Sequence, residues 1–269
     1  MEEDRQKDRR GIQSIEVGGR ILQALARSGL PMMLKDLARE AGMSAAKAHP
    51  YLVSFGKIGL IEQDPLTGRY EVGPLALQLG LVSLQRLDPV RIASGAIAAL
   101  SSRIGHSVAI AVWGSLGPTI VRVEESSHPL HVNLRTGSVM SLLNTATGRV
   151  FAAYMPRKLI ESLLLSGPRL LGDERAAVES PDWNEIEPVL TEVRRQGLSR
   201  ALGNPIPGIN AFSAPVFDHS RNIVLAVTAM GPSGIFDADW NSSLAQDIRA
   251  CAADISHRLG YVGETRAAG

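Results

Sequence analysis

The stretch LKDLAREAGMSAAKAHPYLVSFGKIG, residues 34–59, decides the fold. Leu34, Leu37, Ala38 and Ala41 recur at helical spacing and share one face of a short helix, which Gly42 breaks. Ser44 then stands where a helix N-cap is wanted, because its side-chain oxygen accepts a backbone N–H that the first turn leaves over. Ala48, Leu52 and Phe55 form the inner face of the helix that follows. A short helix, a glycine-containing turn and a second helix make a helix-turn-helix, a motif whose second helix enters the DNA major groove.

Working outward, residues 14–28 (SIEVGGRILQALARS) bring Ile15, Ile21, Leu22 and Leu25 near one helical face, and Gly29 ends the segment. On the other side, LIEQDPLTGRYEV (60–72) holds two strand-like runs, 60–63 and 69–72, joined through Pro65 and Gly68 in turn geometry. Three helices and a hairpin predict a winged helix over residues 14–73, behind a charged leader, residues 1–13. Pro74 suits a first helical position, and PLALQLGLVSLQRL (74–87) continues as an apolar linker helix. It is too apolar to face water alone. Pairing with a second copy is expected, with Leu75, Leu79, Leu81, Val82 and Leu84 divided between partner and own domain.

From Asp88 the texture changes. A helical pattern over 89–104 precedes β-rich runs at 107–113, 119–125 and 131–134. Helices are expected over 145–154, 156–165 and 183–196, strands over 198–200, 209–217 and 223–230, and a terminal helix opened by Asp239 and running to about Leu259. Sequential hairpins with helices between the two groups predict an α+β domain with an antiparallel sheet, of the sensor-like GAF/profilin type, over residues 88–261, with a tail at 262–269.

Composition fits this reading. The chain has 269 residues, 45% apolar, with 28 Lys and Arg against 27 Asp and Glu. That length suits two domains and excludes a disordered or fibrous chain. Residues 1–72 carry 11 basic and 10 acidic side chains, so a DNA-binding role rests on local pattern and not on bulk charge. Cys251 stands alone, which excludes an internal disulfide or a cysteine metal cluster and suits a reducing cytoplasm; it reads as a small buried apolar residue. The mixed-charge leader has no apolar stretch behind it and no run is long enough to span a membrane, so a cytoplasmic protein with no membrane partner is expected.

The common catalytic signatures are missing: there is no nucleophile elbow, no H-E-x-x-H, no Walker loop and no dinucleotide glycine fingerprint. No catalytic residue, metal ligand or cofactor is therefore assigned. His128 and His131 read as loop histidines, since Pro129 between them opposes a helix. Asp237 and Asp239 read as helix-capping acids. The suggestive segment is LLNTATGR (142–149): Asn144 or Thr145 caps a helix whose free amides at Ala146 and Thr147 suit an anion such as a carboxylate, although a purely structural cap explains it too. The other is GINAFSAP (208–215), a strand facing one on which Thr228 and Met230 share a face, as pocket lining or as core.

The order of these parts resembles the IclR family of bacterial transcriptional regulators. The resemblance is carried by LKDLAREAGMSAAKAHPYLVSF, GLIEQDPLTGRYEVGPLALQLG, LLNTATGRVFAAY and APVFDHSRNIVLAVTAMGP, and extends from about residue 14 to residue 260. It implies a ligand-responsive regulator, most often a repressor, that binds double-stranded operator DNA as a homodimer or homotetramer and senses a small organic molecule. On this resemblance the DNA contacts are Ser44, Ala46, Lys47, His49, Ser54 and Lys57 of the recognition helix and Arg69 of the wing. The effector contacts are Leu143, Thr145, Ala146 and Thr147 at the anion end, with Ala201, Ala211, Thr228 and Met230 lining the rest.

The chain departs from the family at two points. Pro50 follows His49 where similar chains carry Arg, which removes a helical hydrogen bond and a DNA contact. Ala201 stands where several relatives carry an acid, so the pocket is less polar, and Arg200 offers positive charge if it points inward. The expected effector is accordingly an organic acid with an apolar or aromatic body. Two other readings stand beside this one: a sensor with weakened DNA binding that acts through a protein partner, and an enzyme using Ser213, Asp218 or His219, which lacks a base and nucleophile at recognisable spacing.

Overall fold

The computed structural model describes residues 11–126, 134–166 and 182–263. Residues 1–10 of the leader, the tail from 264, His128, His131 and all but the last residue of the strand expected at 131–134 lie outside them. The chain divides into two compact units, Met1–Leu87 and Asp88–Gly269.

The first unit is a winged helix. Helices α1 (Gln13–Ser28), α2 (Leu34–Glu40) and α3 (Ala45–Lys57) pack around Ile21, Leu25, Leu37, Ala38, Ala48 and Leu52, all buried. Tyr51 and Phe55 pack against the same core. One expected core position moves: Ile15 is 68% exposed, and Gly18 is buried instead. A Cβ on Gly18 would stand 2.9 Å from the ring of Tyr51 and 3.0 Å from that of Phe55, so the missing side chain is what lets α1 approach α3. Strands β1 (Ile61–Gln63) and β2 (Tyr70–Val72) pair antiparallel, and Met32 bridges to Tyr70 beside them. The wing turn closes on Asp64, whose carboxylate accepts from the Leu66 amide (2.8 Å) and the Thr67 hydroxyl (2.6 Å). Helix α4 (Pro74–Gln85) starts on its proline and buries none of its residues.

The second unit is a five-stranded sheet between two helical layers. Its strands are β3 (Ser107–Gly114), β4 (Gly117–Glu124), β5 (Ser199–Leu202), β6 (Ile209–Phe217) and β7 (Ile223–Pro232), in the order β4-β3-β7-β6-β5 with every pairing antiparallel. Helices α5 (Pro89–Ile104) and α9 (Ser243–Arg258) pack on one face; α6 (Ala146–Tyr154) and α8 (Trp183–Gln196) pack on the other, and α7 (Arg157–Ser166) follows α6. Because successive strand side chains alternate, Ala109, Ala111, Ala226 and Met230 meet Val150 and Phe151 of α6, while Ile110, Phe212 and Val227 are directed to the opposite layer.

The terminal helix begins later than expected. Asp239 does not open it: Asp237 and Asp239 accept backbone amides two residues on, from Asp239 (3.1 Å) and Asn241 (2.7 Å), and form turns. Ser242 caps α9, its hydroxyl accepting from the Ala245 amide at 3.1 Å.

Candidate DNA-reading face and effector site

Ser44 caps α3, accepting from the Lys47 amide at 3.3 Å. With Ala48 and Leu52 turned into the core, Ala46, Lys47, His49, Ser54 and Lys57 are exposed on α3, and Ser44 is exposed at its start. Pro50 is exposed among them, inside an unbroken helix. The Ser54 hydroxyl donates to the Pro50 carbonyl at 2.9 Å, so its proton is used within the helix. Arg69, exposed beside the wing, donates to the carbonyl of Pro31 at 3.2 Å, which ties the wing to the chain entering α2. The structure therefore brings the six helix positions to one solvent face and holds Arg69 at a fixed place on the wing.

In the second unit the cap of α6 is Thr145, not Asn144. Its hydroxyl accepts from the Gly148 amide (2.9 Å) and donates to the carbonyl of Ser141 (2.7 Å). The amides of Ala146 and Thr147 are left unclaimed by the cap. Gly148 has to be glycine: a Cβ there would overlap the Ser141 carbonyl and stand 2.6 Å from the Leu142 Cα, so the turn at 141–142 lies directly against the first turn of α6.

Below that end of α6 the sheet presents two rows of cross-strand partners. One is Ala201, Ala211, Met230 and Ser107; the next is Ser199, Ser213, Thr228 and Ala109. Thr228 is the junction. Its hydroxyl is 2.8 Å from that of Thr147 on α6 and 2.8 Å from that of Ser213 on β6, and all three residues are buried. Thr145, Ala146, Thr147, Ala201, Thr228 and Met230 are buried, with Leu143 and Ala211 half-buried beside them. Seven of these eight positions thus collect at the α6 end of one sheet face, and Ala201 extends the first row to the edge strand β5.

Arg200 does not point toward that face. It alternates with Ser199 and Ala201, donates to the Ala238 carbonyl at 2.8 Å, and holds its guanidinium carbon 4.4 Å from the centre of the Trp240 ring. The cation beside α6 is Arg149. Its Nε donates to the Leu143 carbonyl (2.6 Å) and its NH1 to the Arg200 carbonyl (3.0 Å), joining the chain that leads into α6 to β5. Burial pushes its guanidinium pKa down. Arg149 ends the 142–149 segment, and no local sequence signal assigns it a partner. Ser213 belongs to the 208–215 strand expected as pocket lining or core, and strand alternation from Ala211 puts its side chain on the same sheet face. In the structure Ser213 bonds to Thr228, Asp218 is occupied by the turn amides of Ser220 (2.9 Å) and Asn222 (3.0 Å), and His219 is exposed. No group of His, Cys, Asp and Glu suited to a metal ion is present among the described residues, and none of the described helices is long and apolar enough to cross a membrane.

Comparison with known proteins agrees with this geometry. A family profile described as the IclR helix-turn-helix domain matches residues 14–65, and one described as bacterial transcriptional regulator IclR C-terminal matches residues 81–257. The glycerol operon regulatory protein of Streptomyces griseus is 31% identical, over 93% of this chain and 98% of its own. Its counterpart in Streptomyces coelicolor is 30% identical over the same shares. The crystal structure of Pseudomonas aeruginosa HmgR is 35% identical, covers 94% of this chain and 100% of its own, and superimposes with a TM-score of 0.82. The matched proteins are regulators of transcription and not enzymes. A winged helix followed by a sandwiched antiparallel sheet, matched along almost its whole length, places this chain in the IclR family of transcriptional regulators.

Proposed function

We propose that this chain is a cytoplasmic, ligand-responsive repressor that binds operator DNA as a homodimer or a dimer of dimers and releases it on binding a small organic acid with an apolar or aromatic body. The division of labour follows the expected boundaries: residues 14–73 read DNA, 74–87 pair two copies, and 88–261 hold the effector. The observation that carries the proposal is the cap of α6. Thr145 takes the Gly148 amide and leaves those of Ala146 and Thr147 unclaimed by the cap, and Leu143, Ala211 and Met230 belong to the apolar cluster against which α6 packs. Unclaimed amides at a helix N-terminus favour negative charge, and the patch favours a nonpolar body.

For the DNA side, Lys47, His49 and Lys57 are free of ion pairs among the described residues and lie on one exposed helix face, with Ser44, Ala46, Ser54 and Arg69 around them. Helix α4 exposes Leu77, Leu79, Leu81, Val82 and Leu84, each at 43% or more. Such a surface favours association. Effector binding then shifts the population of dimer geometries that fit two half-sites.

The test is fluorescence anisotropy with labelled DNA from upstream of the protein's own gene, repeated across salt concentrations and then titrated with short aliphatic and aromatic acids, with glycerol as a neutral comparison. Salt-sensitive binding that an acid releases, and glycerol does not, is the expected outcome. Binding that no acid alters, or that only neutral or cationic compounds alter, overturns the effector assignment.

A further inference from the structure

A groove of about 530 Å³ lies between α8 and the edge strand β5, floored by Arg149 and walled by Val189, Val193, Leu202 and Trp240. Apart from Ala201, none of the residues assigned above to the effector lines it. Its volume falls within the range of small-molecule sites.

The charges in this groove do not balance. Arg149 is half-buried and engages only main-chain carbonyls, those of Leu143 and Arg200. The rest of its fork of N–H donors has no partner among the described residues, and none of their carboxylates pairs with it. It also sits in the first turn of α6, where the helix dipole adds positive potential. Glu192, the one acid in the lining, is held by Arg195 (2.8 and 2.7 Å) and Gln196 (2.9 Å) on its own helix. Ser199, fully buried in the wall, has a hydroxyl with no partner among the described residues. A half-buried guanidinium without a counterion is costly, and an anionic acceptor in the groove relieves it.

We propose that this groove is a second ligand site, separate from the patch under α6, and that it takes a flat aryl carboxylate. The carboxylate caps the free edge of Arg149, and the ring lies between the apolar face of α8 and Trp240.

The probe is para-bromobenzoate, whose bromine quenches indole fluorescence on contact. In the full chain carrying Trp113→Phe and Trp183→Phe, emission comes from Trp240 alone. Saturable quenching is expected, and the neutral para-bromobenzamide should give none over the same range. Val189→Glu, at a position 43% exposed on a helix, puts a like charge at the mouth and should weaken the acid about tenfold. Ala211→Leu, which fills the patch under α6, should leave the constant unchanged. Calorimetry of the unsubstituted chain against Val189→Glu reads the same difference should the background variant fold poorly. Absence of saturable binding, equal binding of the amide, or an unchanged constant in Val189→Glu overturns the proposal. Loss in Ala211→Leu alone moves the acid to the patch under α6, and so overturns the second site while supporting the first.

Discussion

Thr147 and Thr228, 81 residues apart in the chain, meet hydroxyl to hydroxyl at 2.8 Å beneath the first turn of α6. Thr228 passes the contact on to Ser213 at the same distance. This buried chain of hydroxyls ties the first turn of α6 to β7 and β6.

Thr228→Val removes the central hydroxyl and keeps the shape, leaving the Thr147 and Ser213 hydroxyls unsatisfied. A loss of about 2 kcal/mol in urea unfolding is expected. Thr228→Ser retains the hydroxyl and should lie within about 1 kcal/mol of the parent. Equal losses in the two variants would remove the hydrogen bonds as the cause.

Pro50 occupies an exposed position among the proposed DNA contacts. Pro50→Arg restores a helical N–H and adds a cation, so operator affinity should rise and its log–log dependence on salt should steepen by about one. Gel-shift titration at several salt concentrations checks this; equal or tighter binding by the parent would defeat it.

Leu79 is 57% exposed on α4. Leu79→Asp places charge on the surface assigned to self-association and should shift the protein toward monomer in light scattering. An unchanged mass would remove α4 from the interface.

Cys251 is buried, and desolvation pushes its thiol up to about 11 from an ordinary 9.0. The raised value means that the folded state prefers the neutral thiol. Its contribution to stability is therefore complete below pH 9 and is lost as pH rises through about 11. At pH 8 a disulfide reagent should modify the folded protein far more slowly than the unfolded one; equal rates would show the thiol to be accessible.

The helix-turn-helix, the wing and the antiparallel sheet were legible because each rests on local signals: apolar residues at helical spacing, Gly42 and Gly68 at turns, and β-branched runs such as 223–227. The start of α6 was legible to within one residue for the same reason, since its cap reaches only from Thr145 to Gly148, but Asn144 and Thr145 are both capping types and only the structure selects Thr145. The start of α9 was misplaced because Asp239 and Ser242 are both good capping types, and sequence alone does not show which one the backbone uses. Ile15 was misplaced because only the packing of Tyr51 and Phe55 reveals that α1 needs the bare backbone of Gly18 at its contact.

The amino-acid sequence by itself determined most of the helices and strands among the described residues, their order, and the family to which that order belongs, because hydrophobic period and turn chemistry act over a few residues. Tertiary structure alone decided which cation lies beside α6. Strand alternation in β5 sends Arg200 to Trp240, while a helix turn brings Arg149 against Leu143 and β5. It also joined Thr147, Thr228 and Ser213, since their meeting depends on the register of β6 and β7 and on how α6 lies across them, long-range packing that no local pattern encodes.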